Sequence, residues 1–377
     1  MMKKTSALHS AYVIDGVPQE LTPAEILSAV TDPHCLRIKD IAEGVEKIID
    51  ETVDPILGTH RFDNTKVKEY LALVADATKQ MPLAFADTYT RVRLAASLID
   101  ALWCRGNFRL GDLQLKASWK WNTSEVGTAS AFYTSVLSAA EYIDALGLKF
   151  NTYSYSNITG RSEVNFRPII APSFPEDDDV FVKQPYHSDH PRISPIRACP
   201  MSLDPDPQSW IVYIPFETSD YRLGGSLLAQ MLGLGGGVPP QVGDADYFID
   251  CFEVVRELVE DKILLAGNTI RFGGLIKSLK QMTTEDVGAR IDISGIMKSY
   301  QENDIVRILF SEVPGAIVQI RDIDFDYLDA QLLLQDVAFF PLGHPVQGSS
   351  DIHIDASAKS GIQTILESLI QNAEGED

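Results

Sequence analysis

The run Ile263-Leu264-Leu265-Ala266-Gly267-Asn268-Thr269-Ile270-Arg271-Phe272-Gly273-Gly274-Leu275 restricts the fold more than any other stretch of the chain. Its apolar start, ended by Gly267, predicts a buried strand. Leu275, Ile276, Leu279 and Met282 then recur at helical spacing after the glycine pair. The chain must therefore pass from strand through a polar turn into a glycine-opened helix. Two readings of that junction are open. It is either a tight connection without a ligand or a cradle in which Cβ-free backbone and helix-start N–H groups hold a phosphate or carboxylate.

The segments before it alternate in character. Ala11 to Ile14 ahead of Asp15-Gly16 predicts a short strand and turn, and Thr22-Pro23-Ala24-Glu25 is a helix start with Thr22 as cap and Glu25 three residues on. Amphipathic spacing predicts helices over 38–53 and 67–78, so the first part of the chain reads as mainly helical. Helices over 90–103 and 129–146 are then interleaved with strands over 112–117 and 164–171, the pattern of an α/β or α+β domain. Trp119 and Trp121 alternate with polar residues and read as packing residues.

A proline-rich, acidic stretch from Pro172 to Pro195 marks a boundary. Its His187-Ser188-Asp189-His190 is either a solvated linker or, through two imidazoles and a carboxylate, a metal site. Beyond it, Trp210 to Pro215 predicts a strand, Arg222-Leu223-Gly224-Gly225-Ser226 leads into a helix from Leu227, and Tyr247 to Glu260 is a well-patterned helix. Strands are expected over 290–293, 306–310 and 316–320. The two Gly-Gly helix starts lie about fifty residues apart. Glu312, before Pro314-Gly315, is an acid facing either a ligand or a turn N–H.

The formal net charge of −21 on 377 residues argues against nucleic acid or an anionic membrane surface as partner, yet leaves room for a small anion held by a few donors. The four cysteines are scattered and form no CxxC pair, so free thiols and a cytoplasmic setting are expected. No run approaches the roughly 18 apolar residues of a membrane span.

From about Ala84 to Pro345 the order of motifs resembles the second synthase half of phosphoribosylformylglycinamidine synthase, in the aminoimidazole ribonucleotide synthase-like superfamily. Leu115-Lys116-Ala117-Ser118-Trp119-Lys120-Trp121 is similar to the family's Leu-Ser-Ala-Asn-Trp-Met-Trp. Leu223-Gly224-Gly225-Ser226 with Ala229-Gln230, Leu309-Phe310-Ser311-Glu312 with Pro314-Gly315, and Leu342-Gly343-His344-Pro345 follow in register. The resemblance implies an α/β (α+β) protein of two domains, 84–188 and 189–347, flanked by a helical N-terminal extension, 1–83, and a C-terminal tail, 348–377. It also implies ATP or ADP with magnesium as cofactors, a homodimer or a partner synthase subunit, and Ser156, Gly224, Gly225, Asn268, Gly273, Gly274 and Glu312 around a nucleotide.

The polar positions depart from that pattern. The family's Gly-Lys-Asp-Ser falls on Tyr153-Ser154-Tyr155-Ser156, which lacks the lysine for phosphate and the aspartate for magnesium. The family's His-Asp-x-Ser before the glycines becomes Asn268-Thr269-Ile270-Arg271, followed by Phe272, so the imidazole is an amide that does not titrate. No catalytic residue and no metal ligand is assigned. Nothing after Pro345 resembles a glutaminase. The expectation is a synthase-like protein of purine-biosynthesis type with an eroded site and a binding or interaction role. The alternative is an active ATP-dependent synthase component working with a partner chain. A third reading is another ATP-dependent reaction using Arg271, Glu312 and Tyr155.

Overall fold

The computed structural model describes residues 6–31, 62–106, 108–124, 127–170, 193 and 196–355. The expected helix over 38–53 and the His187 to His190 cluster lie outside the described residues. The architecture is α+β, as the order of segments implies.

The chain opens with a small hairpin, β1 (Val13–Ile14) and β2 (Val17–Pro18), turning at Asp15-Gly16. Helix α1 (Pro23–Ala29) starts on the expected capping box, with Thr22 Oγ1 accepting the Glu25 N–H and Glu25 accepting the Thr22 N–H. Helix α2 (Val67–Ala75) ends three residues earlier than the apolar spacing suggests.

A three-stranded sheet follows. Helix α3 (Ala86–Leu102) precedes β3 (Leu113–Trp121), α4 (Thr128–Ala145) crosses over to β4 (Lys149–Asn157), and β5 (Glu163–Ile170) closes the order β4-β3-β5. The β3 to β4 pairing is parallel, which requires the α4 crossover, and β3 to β5 is antiparallel. Alternate β3 residues from Leu113 to Trp121 are buried. Trp119 and Trp121 are core residues whose indole N–H groups donate to Ser135 Oγ at 3.0 Å and to the Thr128 carbonyl at 2.8 Å. Tyr153 to Ser156, matched by resemblance to a nucleotide-site run, belong to β4 and pair with Ala117 to Lys120.

The second sheet has six strands in the order β11-β8-β10-β6-β9-β7. They are β6 (Trp210–Pro215), β7 (Leu264–Thr269), β8 (Val287–Asp292), β9 (Gly315–Ile320), β10 (Phe340–Gln347) and β11 (Ser349–Asp355). β11 puts 349–355, the beginning of the stretch expected as a tail, at the sheet edge beside β8. The helices are α5 (Leu227–Met231), α6 (Ala245–Glu260), α7 (Gly274–Met282), α8 (Ser294–Tyr300), α9 (Ile305–Phe310) and α10 (Asp322–Leu334). Helix α3 packs on β5 of the smaller sheet and on β7 and β9 of the larger one, so one buried cluster joins both.

Two strand expectations are corrected. Residues 306–310 are helical: Asp304 caps Val306 and Arg307 at 2.9 and 3.2 Å, and Val306, Ile308, Leu309 and Phe310 are buried. Cap and burial outweigh the strand preference of the β-branched residues. The strand at Leu264 does not end at Gly267 but runs to Thr269, with Gly267 opposite Val318. Glycine is there because the Trp103 ring lies on the strand, and an added Cβ would stand 2.4 Å from Trp103 Cζ3. Gly267→Ala is expected to cost about 1–3 kcal/mol by overpacking, measurable as a lower urea midpoint with an unchanged m-value.

Candidate anion site at two glycine-led helix starts

Both Gly-Gly junctions deliver a helix start to the same place. Ser226 caps α5 by accepting the Ala229 N–H at 3.2 Å, and Gly273, with φ +93°, opens α7. Gly274 also has positive φ, and a Cβ there would meet the Leu309 carbonyl oxygen at 2.6 Å, so α7 can approach α9 this closely only with glycine. The buried face of α7 is Leu275, Ile276, Leu279 and Met282. Each contributes roughly 1.5–3 kcal/mol by leaving water.

The anion between these helix starts is the protein's own. Glu312, 1 % exposed, accepts the Leu227 N–H at 2.8 Å and the Gly273 N–H at 2.9 Å on Oε1. Its Oε2 accepts from the Lys79 ammonium, whose side chain is fully buried. Lys79 Nζ lies 3.3 Å from the centre of the Tyr89 ring and 4.9 Å from that of Phe272. Burial pushes the Lys79 ammonium down to about 8, with Glu312 opposing that shift.

Lys79 comes from the segment after α2, strapped across the site by three contacts. Lys277 Nζ donates to the Val74 carbonyl at 2.7 Å, and α2 packs on α5 and α7. The Gln230 side-chain amide pairs with both the N–H and the carbonyl of Gln80 at 3.1 Å. The N-terminal part of the chain thus supplies the cation that closes the glycine cradle.

Of the residues expected around a nucleotide, Gly224, Gly225, Gly273, Gly274 and Glu312 come together here. The Gly224 carbonyl accepts the Tyr89 hydroxyl at 2.8 Å. Gly225, with φ +68°, lies against the Phe85 and Tyr89 rings. Asn268 is buried, with its amide donating to the Ser278 carbonyl at 2.9 Å. Ser156 is exposed on β4, and Tyr155 packs at a tilt against Phe132 with ring centres 4.9 Å apart.

Outside the Glu312–Lys79 pair is an open cleft of about 400 Å³, lined by Arg93, Arg161, Glu163, Arg271, Phe272 and Lys277 among others. Arg271 pairs with Asp100, which also accepts from the Thr269 hydroxyl at 2.7 Å. Burial pushes the Asp100 carboxyl up, while Arg271 and Thr269 hold it down. Lys79, Arg93, Asp100 and Arg161 escape sequence reading because they sit on separate segments and form no motif.

The Gly273 N–H is bonded to Glu312, and Glu163 is the one carboxylate among the described residues that line the cleft. Among the described residues, no group of three or more His, Cys, Asp or Glu side chains is placed to hold a metal. Also among them, no helix is long and apolar enough to cross a membrane, and Cys104, Cys199 and Cys251 are free.

The Glu312–Lys79 pair makes two stability predictions. Glu312→Gln leaves the buried ammonium uncompensated and is expected to cost about 3–5 kcal/mol. Lys79→Met leaves Glu312 its two backbone donors and should cost less. The second concerns pH: because the folded Lys79 value, about 8, lies below the ordinary 10.5, the unfolded chain binds more protons between them. Stability from this group therefore rises with pH across that window. Wild-type stability relative to Lys79→Met, from urea unfolding, should increase between about pH 8 and about pH 10; a flat or falling difference contradicts the depressed ammonium.

No family model matches the chain. It is 26 % identical to human phosphoribosylformylglycinamidine synthase over 121 residues, covering 32 % of this chain and 9 % of that protein. It is 24 % identical to the probable chloroplastic/mitochondrial phosphoribosylformylglycinamidine synthase of Arabidopsis thaliana over 263 residues, 67 % of this chain and 17 % of that one. A solved structure of PurLQS from Thermotoga maritima superposes with a TM-score of 0.48 at 12 % identity, covering 77 % of this chain and 46 % of that chain, too distant to bear on the site. The resemblance read from the motifs is therefore a sequence relationship to phosphoribosylformylglycinamidine synthase, in which this chain spans less than a fifth of the length of the curated relatives it matches.

Proposed function

We propose that this chain is a synthase-like protein of purine-biosynthesis type that acts by binding and does not carry out ATP-dependent C–N ligation. One observation carries the reading: Glu312 occupies both glycine-led helix starts and is neutralised by the buried Lys79. Carboxylate and backbone donors that satisfy one another are not available to a transferring phosphoryl group, which needs preorganised cations and N–H groups aimed at its developing charge.

The lost polar positions support the same reading. Asn268, where the resemblance implies a histidine, is buried and bonded to the Ser278 carbonyl. An amide so placed neither takes nor gives a proton near neutral pH. The division into units 84–188 and 189–347, and an assembly as a homodimer or with a partner synthase subunit, belong to this proposal. The partner is a protein subunit, with neither nucleic acid nor membrane involved, in keeping with the charge of −21.

Calorimetric titration with ATP and magnesium is the direct test. No saturable, magnesium-dependent heat is expected up to about 1 mM nucleotide, the weak end of the affinity scale. Tight magnesium-dependent binding would sink the reading, as would growth of a purine-requiring strain lacking the synthase when rescued by this chain. Rescue only with a second synthase chain present would favour the alternative of an active component.

A further inference from the structure

We infer that the open cleft beside the Glu312–Lys79 pair binds a small phosphate-bearing anion without magnesium, with Arg93 and Arg161 as its principal donors. The inference rests on the binding reading above and names the ligand class for it.

Charge is the first ground. Lys79, Arg93, Arg161, Arg271 and Lys277 all line a cleft of about 400 Å³ on a chain whose net charge is −21. Three of the five are engaged: Lys79 with Glu312, Arg271 with Asp100, and Lys277 with the carbonyls of Val74 and Ala77. Among the described residues, Arg93 and Arg161 have no carboxylate partner within ion-pair distance. Glu163, the lining carboxylate, pairs with Lys120 at 2.9 Å and also attracts the Arg93 guanidinium. Concentrating cations in a walled recess of an acidic protein focuses the field on an anion.

Unused donors are the second ground. Arg93 gives one Nη to the Val164 carbonyl at 3.0 Å and stacks its guanidinium 4.8 Å from the centre of the Phe272 ring. Its Nε–H is buried and has no hydrogen-bond partner among the described residues. A buried guanidinium donor left unpaired is costly, and a phosphate or carboxylate oxygen satisfies it. Arg161 is exposed on the turn before β5 and free to close over the same anion. The planar forks of two arginines suit a phosphate better than a lone carboxylate.

Magnesium has no place in this recognition, because the cations already neutralise the anion and the one carboxylate among the described lining residues, Glu163, is paired with Lys120. Phe272 supplies an apolar wall that also accepts a base or other flat group.

The probe is inorganic pyrophosphate, titrated into the full chain in excess EDTA. Saturable binding is expected, weakened at least tenfold by Arg161→Ala and tightened by Glu163→Gln, with melting temperatures unchanged because both residues are surface-facing. Arg93→Lys, which keeps charge and loses the fork, should weaken it as well. ADP in the same buffer distinguishes the source: tighter binding than pyrophosphate assigns a nucleoside phosphate, and no tighter binding assigns a free one, provided Arg161→Ala weakens either. No saturable heat in EDTA, binding that appears only with magnesium, or binding indifferent to Arg161→Ala overturns the inference. Magnesium-dependent ATP binding would count against the function proposed above, whereas silence toward pyrophosphate counts against this site alone.

Discussion

One carboxylate ties the molecule together. Glu312 accepts an N–H from each of two helix starts, α5 and α7, and a charged hydrogen bond from Lys79 on the N-terminal segment. The positive ends of two helices and an ammonium converge on a single negative charge, where burial removes water as a competitor and strengthens each contact. The same burial makes the members unequal: removing Glu312 leaves the ammonium desolvated without compensation, whereas removing Lys79 leaves the carboxylate its two backbone donors.

That unit explains the position of the chain's first part. Helix α2 is short, and Val67 and Val74 are its buried residues. What seats it is polar: Lys277 on its terminal carbonyls, and the Gln80–Gln230 pair just beyond. Hydrogen bonds to chain ends and amides are directional, so they set Lys79 in place rather than merely attach the segment. The Leu227 and Gly273 N–H groups are taken by Glu312, and the cations that line the open cleft beside them include Arg93 and Arg161.

Much of the fold was legible. The capping box at Thr22, the alternation of Leu113 to Trp121 and the apolar stripe of α7 are local patterns, and each produced the element it announced. The failures are also local in cause. Residues 306–310 carry strand-forming side chains, but the Asp304 cap and the burial of Val306, Ile308, Leu309 and Phe310 make them a helix. Gly267 reads as a strand end, yet its missing Cβ serves the Trp103 ring while the backbone continues to pair. β4 was not read as a strand, although Tyr153 and Tyr155 alternate with serines and favour strands; pairing with β3 fixes it.

By itself the sequence determined the class of the fold, the two glycine-led helix starts and the loss of the histidine, lysine and aspartate that the resemblance calls for. Each of these is written in neighbouring residues, where propensity, periodicity and chemical identity act over a few positions. Only the tertiary structure decided that both helix starts face Glu312, that Lys79 from the far end of the chain neutralises it, and that Arg93 and Arg161 share one cleft. Pairing across 233 residues, as between Lys79 and Glu312, leaves no periodic or spacing signal in a single chain. Such contacts exist because folding removes water from both partners at once, and that is a property of the assembled core.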